Sequence, residues 1–173
     1  MFEAIDYDRL IAAFEAHSVE RAEYLLRVST LAERIRTDLL GRLGLRNQRD
    51  VYLVRPEDLC DDASRRSVPV QKAVAADRAA ELRPGGWAAF GVVIAMRRRP
   101  QDHPSAFTGV PLEVRRTVSG WEARCEDATA TSTEDEVGPL VDLILQETLR
   151  AWTEGFDRWR AGEPRTCRFG FYV

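Results

Sequence analysis

The sequence predicts an α+β fold: an antiparallel or mixed sheet of about five strands with two long helices packed on one of its faces. Three observations predict it. Apolar residues recur at helical spacing over residues 6–43, a continuous apolar run covers residues 87–96, and a second helical stripe over residues 135–161 is followed by an alternating segment. We expect one domain spanning residues 1–173, with a helical region at 6–43 and the sheet and last helix at 50–173.

Composition supports a cytoplasmic protein with its own core. The 173 residues are 45% hydrophobic, which is enough to bury a core without disulfide or metal staples. The three cysteines, Cys60, Cys125 and Cys167, are widely spaced and form no CxxC pair, so we expect neither a disulfide framework nor a zinc site. The acidic start of the chain resembles no export signal.

Charge and apolar run length restrict the class of partner. The net charge of −3 gives no overall basic field of the kind that attracts nucleic acid. The apolar run of about ten residues is too short for a membrane-spanning helix, which needs roughly 20. We therefore expect no membrane partner, no cofactor and no metal.

The N-terminal region predicts two helices. Leu10, Ile11 and Phe14 share one face of a short helix at 6–16, and a capping role for Ser18 would start a long helix at 18–43. Gly44 supplies the left-handed residue that ends it. The alternating 3 and 4 spacing also fits an intermolecular coiled-coil seam, but packing on the protein's own sheet is favoured because the seam covers only about two heptads.

The middle of the chain predicts two strands and a helix. Residues 51–55 form a short strand, residues 56–70 a polar loop, and residues 72–83 a helix built of helix formers. The Pro-Gly-Gly triplet at 84–86 interrupts the chain before a long strand at 87–99. That strand is predicted to be central because both of its faces are apolar.

A hairpin follows the loop that we predict at residues 101–109. Apolar and charged residues alternate from Leu112 to Val118, and a two-residue turn at Ser119 and Gly120 would place Val118 opposite Trp121. The same register places Arg116 opposite Ala123, Val114 opposite Cys125, and Arg115 opposite Arg124 on a charged, solvated face.

The C-terminal part predicts a linker, a helix and a strand. Residues 127–133 are mostly small, which predicts a linker. Thr133 with Glu136 resembles a capping box for the helix predicted at 135–161. The apolar stripe of that helix continues into aromatic residues, and a final strand occupies residues 167–173 by alternation. The stripe consists of Val141, Ile144, Leu145, Leu149, Trp152, Phe156 and Trp159.

One group of charged residues is the candidate for catalysis. Asp102 at a strand end, with Glu113 and Arg115 on the next strand, could hold a divalent cation and position a phosphate. The spacing resembles the pattern of restriction-type nucleases, although Pro104 follows the aspartate and arginine replaces lysine. Ordinary strand-end charges are the alternative that we prefer.

A second group could contact nucleic acid. Arg97, Arg98 and Arg99 follow one another at the end of the long strand. Because neighbouring strand residues point to opposite faces, we favour a solvated strand end over a phosphate-binding surface.

The function that we expect is that of a non-enzymatic accessory or adaptor protein that acts through protein contacts. The alternative is a nucleic-acid-associated protein or a divergent metal-dependent nuclease. Apolar positions on both long helices exceed what one stripe needs, so we expect a protein partner or self-association there. The residues predicted for this interaction surface are Leu26, Leu31, Leu40, Leu143 and Trp159.

Overall fold

A computed structural model describes residues 7–59, 73–97, 104, 106–160 and 171–172, and for residues 106, 155–160 and 171–172 it describes the backbone. The fold is α+β, as the sequence predicts. The helices are α1 (Tyr7–Arg42), α2 (Pro56–Leu59), α3 (Ala76–Ala79) and α4 (Gly138–Arg160). The strands are β1 (Val51–Val54), β2 (Glu81–Arg83), β3 (Trp87–Met96), β4 (Ala106–Thr117), β5 (Gly120–Cys125), β6 (Ala128–Ser132) and β7 (Phe171–Tyr172).

The strands described form one antiparallel sheet. Five of them lie in the order β1-β3-β4-β5-β6. The short strand β2 pairs with the same edge of β3 as β1 does, at an earlier part of β3. Strand β7 likewise pairs with the same edge of β4 as β5 does. Every pairing is antiparallel, which confirms the predicted sheet and the central position of β3.

The main core lies between the sheet and the two long helices, which cover the same face. Even-numbered residues of β3 point to the helices, as strand alternation requires. Phe90 and Ile94 are fully buried there against Ile35 of α1 and Ile144 of α4. Burial of each such side chain stabilises the fold by about 1.5–3 kcal/mol.

A smaller apolar cluster lies on the opposite face of the sheet. Leu59 of α2 packs there against Tyr52, Val54 and Val93. The side chain of Leu59 lies over a glycine of β3, because a Cβ at Gly91 would be 2.6 Å from Leu59 Cδ1. This cluster buries the second face of β3, so the predicted two-sided burial of that strand is confirmed.

Helix α1 is continuous, and the predicted division at residue 17 is wrong. The hydroxyl of Ser18 donates to the carbonyl oxygen of Phe14 at 2.8 Å, so it bonds inside the helix and caps no new one. The predicted end of the helix at Gly44 is confirmed. Gly44 has φ +64°, Gly44 N–H donates to Gly41 O, and Leu45 N–H donates to Leu40 O, which together form a Schellman motif.

Two predictions about the flanks of β3 are wrong. The predicted helix at 72–83 is described from residue 73 onward, where Ala76–Ala79 is helical and Glu81–Arg83 pairs with β3 as a strand. The predicted loop at 101–109 gives way to β4 from Ala106 onward. Strand β4 starts earlier than predicted because each of the ten residues of β3 pairs with one on β4, ending with Met96 opposite Ala106.

The predicted register of the β4–β5 hairpin is also wrong. The turn consists of Val118 and Ser119, so Val114 lies opposite Ala123 and Arg116 opposite Trp121. Gly120 instead begins β5, where a Cβ would lie 2.1 Å from the Ser132 carbonyl oxygen. The close approach of β6 therefore requires glycine at this position.

The predicted linker at 127–133 is a strand. Ala128–Ser132 pairs with β5 as β6, joined to it by a two-residue turn in which Glu126 has φ +51°. Helix α4 begins at Gly138, three residues later than predicted. Leu149 does not belong to the buried stripe, because its side chain is exposed. The predicted final strand is described at residues 171 and 172, and its other residues lie outside the described part of the chain.

Candidate functional site

The catalytic candidates that are described belong to a cross-strand ion-pair network. Glu113 and Arg115 lie on the same face of β4, away from the long helices. Arg124 on β5 donates to Glu113, and Arg115 pairs with Glu122 at 2.6 Å. Each arginine is thus opposite an acid, in contrast to the predicted Arg115–Arg124 pair.

A tryptophan lies beneath this network. The guanidinium carbon of Arg115 is 4.6 Å from the centroid of the Trp87 ring, and that of Arg124 is 4.1 Å from it. Cation–π contacts of this kind stabilise by about 0.5–1 kcal/mol at exposed sites. The network therefore covers Trp87, which is buried, and holds β3, β4 and β5 together.

The described part of this network does not form a metal site. The Glu113 carboxylate accepts a hydrogen bond from Arg124. Within the described residues, no three His, Cys, Asp or Glu side chains are grouped so that they could hold a metal ion. Asp102, the third member of the predicted nuclease site, lies outside the described residues. Among the described residues, Glu113 and Arg115 are therefore engaged in ion pairs with Arg124 and Glu122, and the nuclease alternative stays a prediction.

The arginine run is described at its first member. Arg97 donates from Nε to Asp50 Oδ1 at 2.8 Å and from Nη2 to the same oxygen at 2.7 Å. The side chains are 16% and 6% exposed, so Arg97 is committed to a partly buried ion pair at the junction of β1 and β3. Phosphate contact by Arg98 and Arg99 stays a prediction, because both lie outside the described residues.

The predicted interaction residues separate into different environments. Leu31 and Leu143 are 2% and 5% exposed and belong to the core, so their assignment to a surface is wrong. Their side chains lie on the face that each helix turns to the sheet. Leu40 is partly buried against the core, whereas Leu26 is exposed. The side chain of Trp159 lies outside the described residues.

Several exposed large apolar side chains lie on the first half of α1. Every residue from 7 to 23 is exposed, and we call this segment the arm. Phe14 is 68% exposed and Tyr7 is 74% exposed. Leu10, Ile11 and Val19 are also exposed large apolar side chains of the arm. The sequence shows that Leu10, Ile11 and Phe14 share a helix face, but whether the sheet covers that face depends on the tertiary structure.

The arm joins the rest of the protein at Tyr24. The Tyr24 hydroxyl donates to the Gly86 carbonyl oxygen at 2.7 Å, and its ring centroid lies 6.5 Å from that of Trp121. Burial raises the pKa of the Tyr24 hydroxyl, so it remains a neutral donor at physiological pH. Beyond this contact α1 enters the core through Val28.

A groove of about 830 Å³ runs along the second half of α1. Its walls include Ala76 and Val137, and much of its charge is engaged in contacts within the protein. Arg34 donates to the carbonyl oxygens of Glu134 and Asp135, and Arg42 pairs with Asp38. The hydroxyls of Ser29 and Thr30 donate to the carbonyl oxygen of Leu26, and that of Thr37 donates to the carbonyl oxygen of Glu33, so these groups bond within the helix.

A buried thiol and a buried carboxyl lie between α4 and the sheet. Burial raises the pKa of Cys125 to about 12, and the nearby Glu147 and Glu126 act in the same direction. The thiol is therefore protonated and a poor nucleophile. Glu147 is also buried and pairs with Arg150 at 2.6 Å, while Arg150 reaches Glu126 at 3.3 Å. These contacts connect α4 to the β5–β6 turn.

Comparison with protein-family models, with curated proteins and with solved structures finds no match to this chain. Neither long helix, over the part described, carries an apolar stretch long enough to cross a membrane.

Proposed function

We propose that this protein is a non-enzymatic accessory or adaptor protein that acts through protein contacts, and that the arm is its contact surface. The observation that carries the proposal is the continuous exposure of residues 7–23 together with the large apolar side chains of that segment. Contiguous apolar surface on a protein commonly marks an interaction site. A cytoplasmic location is part of the proposal, because the three cysteines suggest no disulfide framework.

The energetics of the arm support a packed state. At 1.5 Å per residue the arm extends roughly 25 Å from Tyr24. A helix of this length is marginal by itself in water, because most helical stability in proteins comes from packing of an apolar face. A partner that covers Leu10, Ile11 and Phe14 would supply this packing.

The partner that we propose is a second copy of the chain, with the two arms packed antiparallel. The helix face that carries Ile11 and Phe14 continues at 3 and 4 spacing to Leu25, with the polar residues Ser18 and Arg21 between them. A parallel pair would place two Arg21 side chains opposite each other. An antiparallel pair with Tyr7 opposite Leu25 places Arg21 opposite Ile11 and Phe14 opposite the small Ser18, which joins large to small side chains and avoids the repulsion between like charges.

The test is the mass of the purified chain by light scattering across a range of protein concentrations. The unaltered protein should be a dimer, and Phe14→Glu should convert it to a monomer, because the apolar ring that would be buried in the pair is lost. Val118→Glu is the matched control: Val118 is a fully exposed apolar residue in the β4–β5 turn and should leave the dimer intact. A monomeric unaltered protein, or a Phe14→Glu variant that remains dimeric, would contradict the proposal.

A further inference from the structure

Strand β6 forms an edge of the sheet and is independent of the arm. Among the described residues it pairs with β5 alone, with Cys125 opposite Ala128 and Trp121 opposite Ser132. The other end of the sheet is different, because Val74 N–H donates to the Leu53 carbonyl oxygen at 3.0 Å and so occupies part of the β1 edge. The β6 edge carries no such contact in the described part of the chain.

The register identifies which backbone groups face outward. The residues that close a two-residue turn bond to each other, so Ala128 directs its N–H and C=O to β5, as do Ala130 and Ser132. Thr129 and Thr131 therefore direct their N–H and C=O groups away from the sheet. Both of these threonines are exposed.

The composition of β6 leaves this edge open to another strand. Proteins usually block an edge with proline, charged side chains, a bulge or a covering segment. The sequence Ala-Thr-Ala-Thr-Ser contains no proline and no charge, and its pairing with β5 runs without a bulge. Small and β-branched side chains are compatible with a neighbouring strand on either face.

Acidic residues lie at both ends of β6. Glu126 and Asp127 precede it, and residues 134–136 are Glu, Asp and Glu. Arg150 pairs with Glu126 and Arg116 pairs with Glu134. Asp127, Asp135 and Glu136 are exposed, so each end of the strand carries negative charge at the surface.

This charge distribution selects the occupant. Pairing of β6 with the β6 of a second copy would bring acidic ends together in either orientation, and nucleic acid would be repelled. We propose that the β6 edge binds an extended segment of a partner protein, in which a short uncharged strand is flanked on both sides by lysine or arginine. Backbone hydrogen bonds to Thr129 and Thr131 would hold the strand, and the basic flanks would meet the acids.

The probe for this proposal is a fluorescent peptide, Lys-Arg-Thr-Val-Thr-Val-Thr-Arg-Lys, titrated with the full chain and followed by fluorescence anisotropy. Binding should be saturable and should weaken as salt is added, because the flanks contribute by charge. A peptide with glutamate in place of each basic residue should bind at least about tenfold more weakly, which corresponds to about 1.4 kcal/mol. Equal binding of the two peptides would overturn the charge argument.

A proline variant tests the position of the strand. Thr131→Pro removes an outward N–H that β5 does not use, so the variant should fold, as an edge strand tolerates such a proline. Its affinity for the basic peptide should fall about tenfold or more, because a hydrogen bond is lost and the ring obstructs the approach. Thr131→Val is the matched control, which keeps the N–H and should keep the affinity. Unchanged binding by a folded Thr131→Pro variant would refute the site.

A second measurement avoids any change to the protein. The basic peptide is methylated on alternate backbone nitrogens in two versions, so that one version blocks every second N–H and the other blocks the remaining ones. Strand addition uses one of these two sets, so one version should lose binding and the other should retain it. Equal binding of both versions would contradict strand addition, and absence of binding by the unmethylated peptide would contradict the proposal as a whole.

Discussion

The Tyr24 hydroxyl donates a hydrogen bond of 2.7 Å to the carbonyl oxygen of Gly86, and this contact joins the middle of α1 to the turn before β3. It lies at the boundary between the exposed arm and the buried half of the helix. The bond spans 62 positions of the chain, so it forms only when the helix docks on the sheet.

Removal of this hydroxyl should loosen the docking of α1 without emptying the core. We expect Tyr24→Phe to lower the free energy of unfolding by about 0.5–1.5 kcal/mol, the net value of a typical hydrogen bond. Urea denaturation measures this as a lower midpoint at unchanged slope. A midpoint equal to that of the unaltered protein would show that the bond contributes nothing.

The Asp50–Arg97 pair should be costly to break from one side. Arg97→Gln leaves the buried Asp50 carboxylate without its partner, so we expect a loss of about 3–5 kcal/mol. The double variant Asp50→Asn with Arg97→Gln should lose less, because no charge remains buried. As an exposed control, Arg83→Gln removes the Glu81 pair and should cost below about 1 kcal/mol. Equal losses for Arg97→Gln and Arg83→Gln would show that burial of the pair is unimportant.

Gly91 should tolerate no side chain beneath Leu59. A Cβ there would lie 2.6 Å from both Leu59 Cδ1 and Val54 Cγ2, so we expect Gly91→Ala to destabilise the protein by about 1–3 kcal/mol. Gly41→Ala is the opposite case, since nothing lies within 4 Å of its Cβ and alanine favours the helix by about 1 kcal/mol. Thermal unfolding should thus shift in opposite directions, and a stabilising Gly91→Ala would contradict the packing of Leu59.

Glu147 should make stability depend on pH. Burial raises the pKa of its carboxyl, with Glu126 and Glu154 acting in the same direction and Arg150 opposing them. The folded protein therefore holds this proton more tightly than the unfolded chain does. The contribution of Glu147 to stability is present below the ordinary carboxyl pKa of about 4.3 and is lost as the pH rises through the raised value.

The measurement is the difference in unfolding free energy between the unaltered protein and Glu147→Gln, taken from pH 4 to pH 8. Because the amide cannot ionise, the unaltered protein should lose stability relative to the variant as the pH rises. The comparison of the two proteins at each pH cancels the titration of the other carboxyls. A difference that moves in favour of the unaltered protein with rising pH would show that the ion pair with Arg150 outweighs burial.

The sequence by itself determined the elements that depend on local chemistry. The helical stripes, the ten-residue apolar strand and the glycine stop at Gly44 all follow from the spacing and backbone preferences of neighbouring residues. Burial of Phe90 and Ile94 follows as well, since a strand that is apolar on both faces is stable only at the centre of a sheet.

Only the tertiary structure decided the features that depend on residues far apart in the chain. The β4–β5 register places Gly120 beside Ser132, where a Cβ would lie 2.1 Å from the carbonyl oxygen. Residues 128–132 form a strand because they pair with β5, although their small side chains predict a linker. Arg97 forms an ion pair with Asp50, which lies 47 positions away in the chain, and no local sequence pattern predicts this pair. The exposure of the arm has the same origin: its apolar stripe continues that of the buried half of α1, and the sheet ends before it can cover both.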